Sequence, residues 1–95
     1  MSTPVSSGSS VDLEYLFLQV AKRDRAALRA VYDAVGVRLY QIILVLEADE
    51  GLAATHLEKV FVRLWSEVSE FDPAKQSAWQ WLVALMVETL LQRRH

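Results

Sequence analysis

The twenty-six residues from Leu57 to Leu82, LEKVFVRLWSEVSEFDPAKQSAWQWL, constrain this chain more than any others. They hold all three tryptophans and two of the three phenylalanines. Leu57, Val60, Phe61, Leu64, Trp65 and Val68 recur at helical spacing, which predicts a helix with one apolar stripe. Phe71-Asp72-Pro73 ends it, because the residue before a proline is pushed out of the α region. Ser77, with Gln80 three residues on, forms a capping box and opens a second helix at Ala78. Two helices meeting at such an elbow each need an apolar cover, and the rest of the chain has to supply it.

The preceding residues are patterned for that task. Leu13, Leu16, Phe17 and Val20 give a single stripe on a first helix that begins near Val11 to Asp12. Lys22 and Arg23 close it at the negative end of the helix dipole, and Asp24 is a good N-cap for the next helix. That second helix is expected to run to about Leu46, with Leu28, Val31, Tyr32, Val35, Leu39, Ile42, Ile43 and Leu46 at near-heptad spacing. Gly36 lies inside the pattern, costs about 1 kcal/mol relative to Ala, and marks either a kink or a close helix crossing. The third helix starts near Gly51 or Leu52, with Thr55, Glu58, Lys59, Val62 and Arg63 on its mostly polar face. No strand pattern, repeat or glycine-rich loop is present. The expected fold is all-α, a compact bundle of about four helices over residues 11–95. Met1 to Ser10, rich in serine and without an apolar core, is expected to be a disordered lead-in and not a signal peptide.

Catalytic chemistry finds little to work with. The chain has no cysteine, which removes disulfides, thiolate metal sites and thiol catalysis together. Glu47, Asp49 and Glu50 lack a histidine or fourth carboxylate at helical spacing, so they are expected to serve the third helix as turn acids and not to bind a metal. His56 and His95 have no nucleophile or acid partner at motif spacing, and His56 is expected to be a surface or boundary residue. There is no nucleotide-binding fingerprint, and neither an enzyme nor a cofactor is expected. The longest apolar run, Trp79 to Leu91, is broken by Gln80 and Glu88 and falls short of the ~20 residues that span a bilayer. The formal net charge of -2 argues against unaided nucleic-acid binding, which draws on neutralised phosphates. Hydrophobic residues make up 53% of the chain, enough that some apolar surface could serve a partner. The fourth helix carries that question, since residues 79 and 81 point about 200° apart on a helix. Trp81 goes with Ala78, Leu82 and Leu85, and Trp79 with Val83, Met86 and Leu90. Either the helix is central and buried on two sides, or Trp79, Val83, Met86 and Leu90 form an exposed protein-docking face.

In order and spacing these motifs resemble region 2 of bacterial sigma factors of the extracytoplasmic-function (ECF) group. The run Val60-Phe61-Val62-Arg63-Leu64-Trp65, then Phe71-Asp72-Pro73, then Ser77-Ala78 and Trp81-Leu82, is similar to that family's V-F-x-R-x-W helix, (Y/F)-D-P turn and G-S-A-x-x-W-L helix start. Asp24-Arg25-Ala26-Ala27 with Val31-Tyr32 looks like its G-D-x-x-A-F-x-x-L-Y opening, and Arg93-Arg94 match its basic end. The resemblance implies a cytoplasmic transcription initiation factor. Its third helix would dock on core RNA polymerase through Thr55, Glu58, Phe61, Arg63 and Trp65. Its elbow and fourth helix would capture unpaired bases of the promoter -10 element, with Asp72, Lys75, Ser77, Trp81, Arg93 and Arg94 at the DNA. An anti-sigma factor or self-association is a further partner it allows.

The sequence also departs from the family pattern. Where the docking helix usually reads D-x-x-Q-E-x-F, Thr55, Glu58, Lys59 and Phe61 stand here. Where the last helix usually continues I-A-R-N, Leu85-Met86-Val87-Glu88 stand, and Gln76 replaces the glycine before Ser77. Glu88 beside a DNA strand would cost on the order of 1 kcal/mol. A sigma-like interaction module without DNA contact is therefore the alternative reading. The helix-turn-helix with which the family reads the -35 element is not in the sequence. Whether this is a piece of a longer sigma factor or a short relative stays open.

Overall fold

The computed structural model describes residues 12–92, which form four α-helices and one 3₁₀ turn, with no strand among them. The helices are α1 (Leu13–Ala21), α2 (Arg25–Leu46), α3 (Glu50–Glu67) and α4 (Ala78–Gln92); Val68–Glu70 is the 3₁₀ turn. The lead-in expected over residues 1–10 and the basic pair Arg93-Arg94 lie outside the described residues.

Each helix begins at a side-chain cap. Asp12 accepts from the Tyr15 N–H, Asp24 from those of Ala26 and Ala27, and Asp49 from that of Leu52. The Ser77–Gln80 box is reciprocal: the Ser77 N–H donates to Gln80 Oε1 at 3.0 Å, and the Gln80 N–H donates to Ser77 Oγ at 3.1 Å. The turn acids are engaged in the same way, since Glu47 accepts from the Asp49 N–H next to the Asp49 cap.

Helix α2 packs against both α1 and α3, α3 packs against α4, and α1 reaches back to α4 and the 3₁₀ turn. Phe17, Val20, Val31, Leu39, Ile43, Val60, Leu64, Leu82 and Met86 are fully enclosed between them. On α2 every fourth residue from Ala27 to Ile43 is buried. A step of four advances about 40° around a helix, so this line winds as it passes from one neighbour to the other. The winding takes two residues of the near-heptad stripe out of the core: Leu46 is exposed, and Tyr32 stays 45% accessible. Gly36 is buried on the inner side of the helix. Helix α2 runs through it unbroken, and the nearest atoms to a Cβ there are those of the Tyr32 ring one turn earlier, at 3.5 Å.

Two other expectations are corrected. His56 is 3% exposed and belongs to the core face of α3. It completes the series Ala53, His56, Leu57, Val60 at i, i+3, i+4 and i+7. On α4, Met86 is 1% exposed, so the four-residue docking face does not exist as a free surface. The buried seam runs Ala78, Leu82, Leu85, Met86, Thr89. Trp81 lies on one flank of it, and Trp79, Val83 and Leu90 lie on the other, all packed against the core. One broad buried face thus accommodates two tryptophans that point about 160–200° apart.

Candidate functional site

The elbow is built around three rings. Phe17 of α1 meets Phe71 edge-to-face at 5.2 Å and Trp81 at 5.8 Å, and Phe71 meets Trp81 at 6.0 Å. Such pairs contribute about 0.5–1.5 kcal/mol each beyond the area they bury. The loop between is closed by Asp72, whose Oδ1 accepts from the Ala74 N–H while its carbonyl accepts from Lys75 and Gln76. Of the residues expected at DNA, Lys75 is exposed and Asp72 half-buried on this loop, and Trp81 is half-buried on α4. The Ser77 hydroxyl is engaged in the capping box.

The start of α4 is also tied to α1. Glu14 Oε2 accepts from the Ala78 N–H at 2.8 Å, across 64 residues of sequence. A carboxylate therefore already sits at the positive end of the α4 dipole, where an anion would otherwise be favoured. Beside Trp81 a cleft of about 140 Å³ is lined by Glu67, Glu70, Gln76, Ala84, Leu85 and Glu88. Its charged lining is acidic throughout.

Arg63 connects that lining to the core. Its Nε and Nη2 donate to the two oxygens of Glu67, at 2.8 and 3.1 Å. Nη2 also donates to Glu88 at 3.1 Å, and Nη1 donates to Thr89 Oγ1 at 3.2 Å. The side chain is only 18% exposed. The Glu67 bonds hold the guanidinium above the ordinary arginine range, opposed by burial and assisted by Glu88. Arg63 thus faces α4 and fixes it to α3. It does not share a face with the other residues expected to meet polymerase.

Those residues lie around a groove between α2 and α3. Thr55 and Glu58 are exposed on α3, and Val62 beside them is 65% exposed. Phe61 is buried against the Tyr32 ring, centroids 5.0 Å apart. Trp65 is half-buried, with the Arg23 and Arg25 guanidinium carbons 4.8 and 5.9 Å from its ring centroid. Arg23 also donates to the Trp65 carbonyl. Its left-handed backbone, φ 68°, belongs to the cap that ends α1, where the Arg23 and Asp24 N–H groups donate to the Val20 and Gln19 carbonyls. Arg25, Leu28, Tyr32, Glu58, Phe61, Val62 and Trp65 line a section of the groove of about 560 Å³. Sequence reading placed Trp65 and Phe61 in a core stripe, gave Arg23 only the closing of α1 and Tyr32 only a place in the α2 stripe, and gave no role to Glu14. Only the packing of distant segments reveals what else they do.

Among the described residues no group of acids, histidines or cysteines is arranged to hold a metal ion. No helix among them is long and apolar enough to cross a membrane.

Over 76 residues the chain is 34% identical to the ECF RNA polymerase sigma factor SigK of Mycobacterium tuberculosis (strain H37Rv) and to that of Mycobacterium bovis (BCG). It is 33% identical to SigK of Mycolicibacterium vanbaalenii. These matches cover 80% of this chain, but only 41% of the first two relatives and 39% of the third. The chain thus spans about two-fifths of the length of the curated relatives it matches. No family model matches it, and no solved structure matches it.

Proposed function

From its homology to a part of the ECF RNA polymerase sigma factors, we propose that this chain is a sigma region 2-like transcription domain that acts in the cytoplasm by docking on core RNA polymerase. The observation that carries this reading is the α3 surface: Thr55, Glu58 and Val62 stand exposed beside a groove floored by Phe61 and Trp65. An exposed rim of polar Thr55 and Glu58 and apolar Val62 beside aromatic groups has the composition of a protein interface. The domain catalyses nothing; its work is recognition.

The test is direct binding of the 95-residue chain to purified core polymerase. Association at micromolar concentration is expected, and Val62→Asp should weaken it by about tenfold or more with helicity unchanged. Failure of the unaltered chain to bind at that concentration would overturn the proposal.

A second reading concerns DNA. The acids Glu67, Glu70 and Glu88 beside Trp81, and Glu14 at the α4 N-terminus, favour a domain that docks on polymerase without itself capturing the -10 strand. Even with Arg63 paired to Glu67 and Glu88, the group keeps a net negative charge, which opposes a phosphodiester where the resemblance would place one.

A further inference from the structure

The groove between α2 and α3 has a symmetry of charge that the proposed docking function does not require. The two helices are antiparallel. Arg25 meets Trp65, Tyr32 meets Phe61 and Tyr40 meets Glu50, so rising numbers on one face falling numbers on the other. Tyr32 lines all three overlapping sections of the groove and stands at its middle. Arg29 lies three residues from Tyr32 towards one end, and Glu58 lies three residues from Phe61 towards the other. At 1.5 Å per residue each is displaced about 4.5 Å from the Tyr32–Phe61 pair, in opposite directions. Arg25 extends the basic end, and Asp33 lies on the acidic side.

A two-fold axis through the Tyr32–Phe61 pair superposes the basic end of one groove on the acidic end of the other. Arg29 of each molecule then comes level along the groove with Glu58 of its mate, within reach of the two long side chains across it, and the two Tyr32 rings meet near the axis over apolar walls of Leu28 and Val62. Isologous contacts of this kind need a self-complementary patch, and this groove supplies one in both charge and polarity. Within one chain Arg29 already pairs with Asp33, but both side chains are largely exposed, so that pair is weak and readily exchanged.

We propose that the α2–α3 groove takes a second copy of this chain, forming a two-fold dimer centred on Tyr32. The dimer covers Glu58, Phe61 and Trp65, so self-association and polymerase binding would exclude one another. That consequence rests on the proposed function; the dimer itself does not.

Sedimentation velocity on the 95-residue chain alone tests the pairing without polymerase. At concentrations up to hundreds of micromolar the mass is expected to rise from 10.8 kDa to twice that value. Arg29→Glu and Glu58→Arg should each remain monomeric over the same range, with unchanged helicity because both positions are exposed. Mixed one to one they should recover the dimer, since both contacts across the axis are then attractive again. An unaltered chain that stays monomeric overturns the proposal. So does a dimer that survives in both variants, which would lie on another face, and so does a mixture that fails to pair. Polymerase binding measured separately shows whether the functional reading stands or falls independently.

Discussion

Arg63 shows how one side chain can change what a motif means. In the sequence it sits on the polar face of α3, beside residues expected to meet a partner. In the fold it is the hub of four hydrogen bonds to Glu67, Glu88 and Thr89. Thr89 in turn donates to the Leu85 carbonyl at 2.8 Å, so the hub reaches the buried seam of α4. Arg63→Ala should lower stability by about 1–2 kcal/mol, read as a shift in the urea midpoint. The figure is kept low because Glu88 is 62% exposed and its share is screened by solvent. The pH dependence has a definite sign. A guanidinium held above its ordinary range contributes stability that is complete below the unfolded-state value and is lost only as pH rises through the folded one. Between neutral pH and about 10 the stability difference between Arg63 and Arg63→Ala should therefore stay flat, which paired denaturation curves at several pH values would check.

At the scale of elements, α4 is the informative case. Its apolar residues cover more than half its circumference, which left a central helix and an exposed docking face equally open. The packing decides this by burying the middle of the arc and leaving a tryptophan on each edge. Trp79 lies under the Arg38 guanidinium at 5.0 Å, and Trp81 closes the aromatic cluster on the other side. Met86→Ala should consequently cost about 2–4 kcal/mol, as for other large-to-small changes in a core, and lower the thermal midpoint. Val87→Ala, on the outer face of the same helix, should change it by less than about 0.5 kcal/mol. Equal effects from the two would show that α4 is not seated as described.

For the whole molecule, charge is distributed unevenly over the two candidate surfaces. The cations Arg23, Arg25 and Arg29 gather where α1 turns into α2, near the α3 C-terminus, and the acids Glu67, Glu70 and Glu88 gather at the elbow. An elbow of this sign should give no measurable affinity for a single-stranded -10 oligonucleotide in fluorescence anisotropy at moderate salt. Neutralising all three acids to glutamine should raise affinity, with a steeper salt dependence as phosphate contacts become possible. Tight binding by the unaltered chain would instead restore DNA capture to the elbow.

Much of this was legible from residues alone. Periodicity located all four helices, because burying one face of a helix demands apolar residues every third or fourth position. Asp24 and the Ser77–Gln80 box fixed helix starts, because unsatisfied N–H groups take the nearest side-chain acceptor. The family resemblance followed from the same scaffold residues. What the sequence left undetermined depends on segments far apart in the chain. His56 reads as a surface or boundary residue because it stands one position before the Leu57 stripe and has no nucleophile or acid at motif spacing, although its spacing from Ala53 and Val60 puts it inside. The capture of the α4 N-terminus by Glu14, the stacking of Arg23 on Trp65 and the turning of Arg63 towards α4 have no local signature. Local spacing sets which residues share a helix face, and so it determined the elements. Which face meets which neighbour depends on how four helices settle together, and only the tertiary structure decided that.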